Sequence, residues 1–222
     1  MMLDRLFKEY IFSSFRRQKI DKELEKAKPL FKGRVLDIGG GREKGEFNFP
    51  AEAEVIVVDI NKQSKPDIVA DVAKLPFKDH QFDVIKATEL FEHVSKPEKG
   101  IEECLRVLRP GGYFILSMPF LCPVHADPSD YQRWTETKLR TVFRHLGVKI
   151  KKFKIQGYYL TVLADYLKNP ILNLPFFIRY PAYLLFFPLL YTLVFLDDRI
   201  CSRSQLLKKY HSGYFIVLRK NE

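Results

Sequence analysis

Chemistry in this chain gathers where short apolar runs end. The first such place is Val35-Leu36-Asp37-Ile38-Gly39-Gly40-Gly41, an apolar stretch that breaks into glycines. Glycine lets a backbone approach a ligand closely and adopt positive φ. A second run, Val55-Ile56-Val57-Val58, ends in Asp59. That carboxylate falls about 20 residues beyond the glycine turn, the spacing at which an acid meets ribose hydroxyls. Asp37 stands just ahead of the glycines, where an acid is awkward for a pyrophosphate and well suited to a cationic ligand.

A second constellation follows the apolar run Tyr113–Met118: His125, Asp127, Asp130, Tyr131, Arg133 and the lone tryptophan, Trp134. In doubly wound sheets the loops at the carboxyl ends of strands form the ligand crevice, so an acceptor is expected here. Imidazole is matched to proton removal near neutral pH. His125 is therefore the candidate base, with Asp127 or Asp130 to orient it. Tyr131 and Trp134 suit a cation or a sugar ring, and Arg133 a phosphate or carboxylate. The blander reading has Asp130 and Arg133 bracing the loop and Trp134 plugging the core. Glu89, Glu92 and His93 resemble the start of a metal site, but no further ligand cluster joins them in sequence, and no metal is expected.

The elements that must position these residues alternate apolar runs with helical patterns from Arg34 onward. Strands are predicted at Arg34–Ile38, Glu54–Asp59, Ile68–Ala70, Phe82–Ala87, Tyr113–Met118, Val148–Gln156 and Gly213–Leu218. Helices are predicted at Pro97–Leu108, where Arg109-Pro110-Gly111-Gly112 stops the helix and turns the chain, and at Thr135–Leu146, with Thr135 as N-cap and Gly147 as stop. The result is an α/β fold: a Rossmann-like, doubly wound, mostly parallel seven-stranded sheet with an apolar helical insertion before the last strand. The expected parts are an N-terminal helical cap (1–33), a core (34–156), the insertion (157–210) and the final core strand (211–222). Met1–Lys28 reads as amphipathic, with Leu3, Leu6, Phe7, Tyr10 and Ile11 at helical spacing.

The insertion is the oddity. Leu174–Leu196 holds one charge, Arg179, and is interrupted by Pro175, Pro181 and Pro188. An interior proline costs a helix about 3 kcal/mol, so short proline-started helices forming a soluble cap are expected first. A membrane-seeking surface through 174–196 comes second and a true span third.

Composition narrows the partners. With 222 residues, 46% hydrophobic and 29% charged, the chain can build a real core. Its three cysteines form no C-x-x-C pair, which fits a reducing, cytoplasmic setting, at the inner membrane surface if 174–196 meets lipid. The net charge of +10 suits an acidic partner or a lysine-rich solvated surface. Basic residues are scattered without an aromatic-basic signature, and no nucleic acid is expected.

The glycine turn and Asp59 alone fit NAD as well as S-adenosylmethionine. The glycines run Gly39, Gly41, Gly45 rather than G-x-G-x-x-G, which lowers an NAD-dependent oxidoreductase. Taken together, residues 34–119 resemble the class I S-adenosylmethionine-dependent methyltransferases, especially the type 11 group. The matching pieces are Leu36-Asp37-Ile38-Gly39-Gly40-Gly41, Asp59, Ala70-Asp71-Val72, Leu75-Pro76-Phe77, Phe82-Asp83-Val84-Ile85, Glu92-His93-Val94 and Leu108-Arg109-Pro110-Gly111-Gly112. Glu43 departs from the family, which often has a third glycine there.

The resemblance implies S-adenosylmethionine as cofactor. Asp37 and Gly39 would border its methionine part, and Gly41 would allow close backbone approach. Asp59 would take the ribose, Asp71 with Val72 the adenine, and Thr88 would lie beside the sulfonium. Ala87-Thr88-Glu89-Leu90 stands where DNA amino-methylating relatives carry Asn/Asp-Pro-Pro-Tyr/Phe, so a small-molecule or lipid-linked acceptor is expected instead. The His125-x-x-Pro-x-Asp130-x-x-Arg133-x-Thr135 pattern is similar to that of relatives suspected of acting on sugars or cell-envelope polymers. It favours O-methylation of such a hydroxyl, while the apolar insertion favours a polyprenyl quinone-like ring. The rival from another class is a non-catalytic module that binds membranes or protein partners.

Overall fold

The computed structural model describes residues 13–40, 47–125 and 129–222. Leu3, Leu6, Phe7, Tyr10, Ile11, Gly41, Glu43 and Asp127, singled out in the sequence, lie outside the described residues.

Seven strands form one sheet in the order β3-β2-β1-β4-β5-β7-β6. They are β1 (Gly33–Ile38), β2 (Ala53–Asp59), β3 (Ile68–Val69), β4 (Phe82–Thr88), β5 (Leu108–Pro119), β6 (Lys149–Gln156) and β7 (Gly213–Arg219). The helices are α1 (Phe15–Ala27), α2 (Pro97–Val107), α3 (Glu136–His145), α4 (Tyr159–Leu172) and α5 (Phe176–Ile200). β1 pairs in parallel with β2 on one side and β4 on the other, Val35 facing Val55 and Val84. A parallel strand covered on both faces needs a near-continuous apolar run, and Val35, Leu36, Val84, Ile85 and Ala87 supply it, all buried. The chain steps outward through β2 and β3, then returns to the other side of β1 as β4. That reversal opens a crevice at the carboxyl ends of β1 and β4.

β5 differs from the expectation. Arg109-Pro110-Gly111-Gly112 does not turn the chain into a later strand; β5 begins at Leu108, straight from α2. Leu108 pairs with Phe82 and Tyr113 with Val84, so the register shifts between them. Gly111 takes φ +74°, and a Cβ on Gly112 would come within 2.8 Å of the Asp83 carbonyl oxygen. The glycines thus make an irregularity inside a strand. Gly111 N–H donates to the Lys220 carbonyl at 3.1 Å and Lys220 N–H to that of Gly112 at 3.0 Å, so the start of β5 meets the end of β7. α3 is capped as expected, the Thr135 hydroxyl accepting from Lys138 N–H at 3.2 Å.

Two compact units emerge from the contacts: one takes residues up to Lys22, Leu121–Pro123 and Ile155–Gly213, the other Glu23–Phe120, Val124–Lys154 and Tyr214–Glu222. In the second, the buried Glu23 carboxylate is bonded by Lys154 at 2.7 Å and by Lys152. Burial pushes its carboxyl up, and the ammonium groups of Lys152, Lys154 and Lys26 more than reverse this, holding it at about 2.

In the first unit the prolines do not split the insertion. α5 runs unbroken over 25 residues with Pro181 and Pro188 inside it. Tyr183, Leu190 and Asp197 are its buried residues, a heptad-spaced seam that packs with α4. Pro181 and Pro188 each fall two residues before a seam position, on the opposite face. Both prolines are exposed, as are Phe177 and Leu184 one turn earlier, so the carbonyls left without donors lie on the outer face. A cluster of Phe15, Ala164, Tyr183 and Leu190 forms the core. The buried Asp197 carboxylate caps α4, accepting from Tyr158 N–H at 2.6 Å, Leu160 N–H at 2.9 Å and the Thr161 hydroxyl at 2.7 Å. Asp165 does the same for α1, accepting from Phe15 N–H at 2.7 Å. Among the described residues no helix is long and apolar enough to cross a membrane.

Candidate active site

A cavity of about 250 Å³ opens at the carboxyl ends of β1, β2 and β4. Of the residues expected to hold a cofactor, Gly39, Asp59, Asp71 and Val72 line it. Gly39 takes φ +75°, and a Cβ there would approach Leu90 Cδ1 to 2.9 Å. Only glycine leaves that wall open to a ligand. Asp59 ends β2 with its Oδ1 accepting from Asn61 N–H at 2.8 Å. Asn61 in turn caps the short turn Lys62–Ser64, accepting from Gln63 N–H at 2.9 Å. Asp71 Oδ1 accepts from Ala73 N–H at 2.9 Å. Each carboxylate is thus shaped by a local Asx turn, with its second oxygen left for other partners. These residues fit the adenosine half of S-adenosylmethionine: two acids and a bare glycine around one cleft.

Asp37 and Thr88 stand elsewhere. Asp37 is buried and its Oδ1 accepts from Lys86 Nζ at 2.7 Å, while a Cβ on Gly40 would overlap its carboxylate. It supports the glycine turn from below, with its charge matched by lysine, so it does not offer a bare acid to a cationic ligand. Thr88 is buried at the end of β4, and the next residues, Glu89 and Leu90, line the cavity instead. Glu89 takes φ +54°, unusual for a residue with a Cβ. Its strain is held by Ser117, whose hydroxyl donates to Glu89 Oε1 at 2.8 Å and accepts from Glu89 N–H at 3.1 Å. Propensity carries no signal for such a conformation.

The loop after β5 is strapped onto the turn after β4, Phe91–His93. Tyr131 N–H donates to the Glu92 carbonyl at 2.8 Å. The Gln132 side-chain amide donates to the carbonyls of Phe91 and Val94, both at 2.7 Å. His93 Nδ1 lies 2.6 Å from the Ser129 carbonyl oxygen, which can only accept, so Nδ1 carries the proton. His93, Ser129 and Tyr131 thereby join the cavity wall.

His125 lies just outside that lining. Its ring stands edge-on to His93, centroids 5.1 Å apart, and its Nδ1 is 3.7 Å from Asp130 Oδ2. Asp130 Oδ2 also accepts from His125 N–H at 2.9 Å. Asp130 does orient His125, but its main partner is Arg133, which bonds both carboxylate oxygens, Nη2 to Oδ2 at 2.6 Å. That fork holds the Asp130 carboxyl well below the usual carboxylate range. Arg133 therefore braces the loop rather than reaching into the cavity. Trp134 is buried, with Lys138 Nζ 5.1 Å above its ring, and packs in the core. Of the expected acceptor residues, Tyr131 alone lines the cleft.

The contact between His125 and the β4 turn is what the sequence hid. Glu92, His93 and His125 offer ligand atoms that all lie within 4.8 Å of one another. The fourth-strand pair acquires its third member from a loop on the far side of α2 and β5.

The comparisons with known proteins agree with this geometry. The family model for methyltransferase domains matches residues 36–116. A ubiquinone/menaquinone biosynthesis C-methyltransferase of Idiomarina loihiensis is 35% identical over 113 residues, 42% of this chain and 45% of that protein. A ubiquinone biosynthesis O-methyltransferase of Vibrio cholerae is 31% identical over 110 residues, again 42% of this chain and 45% of the relative. The chain thus spans less than half the length of these curated relatives. An S-adenosylmethionine-dependent methyltransferase structure from Archaeoglobus fulgidus superposes with a TM-score of 0.58 at 19% identity, covering 97% of this chain and 98% of that one. Through residues 36–116 the chain belongs to the class I S-adenosylmethionine-dependent methyltransferases.

Proposed function

We propose that this protein transfers a methyl group from S-adenosylmethionine to a hydroxyl of a small-molecule or lipid-linked acceptor, in first place a sugar or cell-envelope polymer hydroxyl. The observation that carries this is one continuous cavity with Asp59, Asp71 and Val72 at one end and His93 and Tyr131 at the other. When bound, S-adenosylmethionine supplies an electrophilic methyl group. The chain's own part is placement: Asp59 accepts from ribose hydroxyls, Val72 packs on the adenine, and Gly39 admits the backbone side of the ligand. Alignment of donor and acceptor accounts for much of such a rate. The acceptor proton leaves at the imidazole pair of His93 and His125, with Asp130 orienting His125.

A second acceptor, a polyprenyl quinone-like ring, is supported by the names of the Idiomarina and Vibrio relatives and by α5. Phe177 and Leu185 of α5 are 75% and 77% exposed, with Phe176 and Leu184 similar. An apolar outer face on a chain of net charge +10 suits peripheral contact with an anionic membrane from the cytoplasmic side.

The test is methyl transfer from methyl-tritiated S-adenosylmethionine to sugar-polymer and demethylated quinol acceptors. Label in a base-stable ether of the sugar supports the first reading, and label in the ring carbon or hydroxyl of the quinol supports the second. No transfer to either, from protein that binds S-adenosylhomocysteine, rejects both acceptors.

A further inference from the structure

We propose that Glu92, His93 and His125 form a binding site for a borderline divalent cation of the zinc type, beside the acceptor end of the cavity. The three ligand atoms lie within 4.8 Å of one another. Two imidazoles and one carboxylate form a ligand set common to catalytic divalent-metal sites that leave a position open.

The surroundings prepare these groups for a cation. His93 Nδ1 donates to the Ser129 carbonyl at 2.6 Å, so in the neutral ring the lone pair is on Nε2. That nitrogen points at Glu92, 3.7 Å from Oε1. A lone pair facing a carboxylate at this distance calls for a positive charge between them. An Nδ1–H bonded to a backbone carbonyl is also the arrangement that orients a metal-bound imidazole. Glu92 has no exposed surface, and a cation there would balance its buried charge. His125 is tied through its backbone to Asp130, which Arg133 fixes in turn. Its side chain is 44% exposed and can rotate to bring its nitrogen to the roughly 2.1 Å that zinc requires.

The role of the cation, though not its binding, rests on the methyl-transfer reading. A divalent ion lowers the pKa of a hydroxyl beside it. The acceptor proton then passes to water, the O–CH₃ bond forms as the S–CH₃ bond breaks, and the electron pair stays on sulfur. His125 serves in that case as a ligand and takes no proton.

The experiment is titration of the full chain, stripped with chelator, with Co²⁺ as a spectroscopic probe, followed by Zn²⁺ displacement. S-adenosylhomocysteine binding is measured separately in EDTA. The expected result is one Co²⁺ per chain with visible ligand-field bands that Zn²⁺ abolishes. Binding should weaken at least about tenfold in both His125→Ala and Glu92→Gln. S-adenosylhomocysteine should bind His125→Ala within about threefold of the parent, which shows the variant folded. No stoichiometric Co²⁺ in chain that binds S-adenosylhomocysteine, or Co²⁺ binding unchanged in both variants, overturns the site. Co²⁺ binding without S-adenosylhomocysteine binding leaves the site standing and sinks the methyl-transfer reading instead.

Discussion

Lys86 and Asp37 are register partners on adjacent parallel strands, and their side chains meet at 2.7 Å in the core beneath the glycine turn. Removing one member of a buried pair leaves the other charge uncompensated, at a cost of about 3–5 kcal/mol. Lys86→Met should lower unfolding free energy by that order in urea titration. The double variant Lys86→Met/Asp37→Asn should recover much of it. A single variant as stable as the parent would show that the pair does not hold the turn.

Glu23 ties α1 to Lys152 and Lys154 of β6. Its folded carboxyl sits at about 2, below the ordinary 4.5. The stabilisation is therefore present above the unfolded value and is lost as pH falls through the folded one. The melting temperature of the parent should drop between these values more steeply than that of Glu23→Gln. Parallel curves for the two proteins would remove Glu23 from the account.

Burial along α5 repeats at Tyr183 and Leu190. Leu190→Ala should cost about 3 kcal/mol through its cavity, whereas Leu184→Ala, on the exposed face, should cost less than about 0.5 kcal/mol. Equal losses in calorimetric melts would mean that the seam is misplaced.

The same outer face carries the membrane reading. Full chain should co-sediment with phosphatidylglycerol vesicles, and the quadruple variant Phe176→Ser/Phe177→Ser/Leu184→Ser/Leu185→Ser should not, while its circular dichroism stays unchanged. Association that survives in the variant assigns lipid contact to another surface.

Asp130 acts by positioning. Asp130→Asn weakens the charged fork to Arg133, a loss of about 1.5 kcal/mol or roughly tenfold. We expect it in the acceptor KM, with the affinity for S-adenosylhomocysteine moved less than threefold or so. An effect on donor affinity alone would place Asp130 in the donor site.

Much of this was legible because parallel strands need apolar runs and helices need caps. Val35–Ile38, Val55–Asp59 and Phe82–Ala87 show their strands openly, and Thr135 with Gly147 marks both ends of α3. The start of β5 was not, because Pro110-Gly111-Gly112 reads as a turn by local propensity and only its pairing with β4 and β7 makes it strand. The prolines of α5 misled for a related reason. Their cost is local, whereas the seam packing and the capping bonds of Asp197 that offset it are tertiary. In the site, Gly39, Asp59 and Asp71 were readable from strand ends. Lys86 as the partner of Asp37, the positive φ of Glu89 and the approach of His125 to His93 were not, since each depends on contacts between segments distant in sequence.

The most direct measurement is calorimetric titration of the full chain with S-adenosylmethionine and S-adenosylhomocysteine, with NAD and Asp59→Ala as controls. The account predicts one site for both sulfur ligands, at least about tenfold weaker in Asp59→Ala, as loss of charged hydrogen bonds implies, and no heat with NAD. Well-folded protein that binds neither sulfur ligand, or that binds NAD in their place, would contradict it.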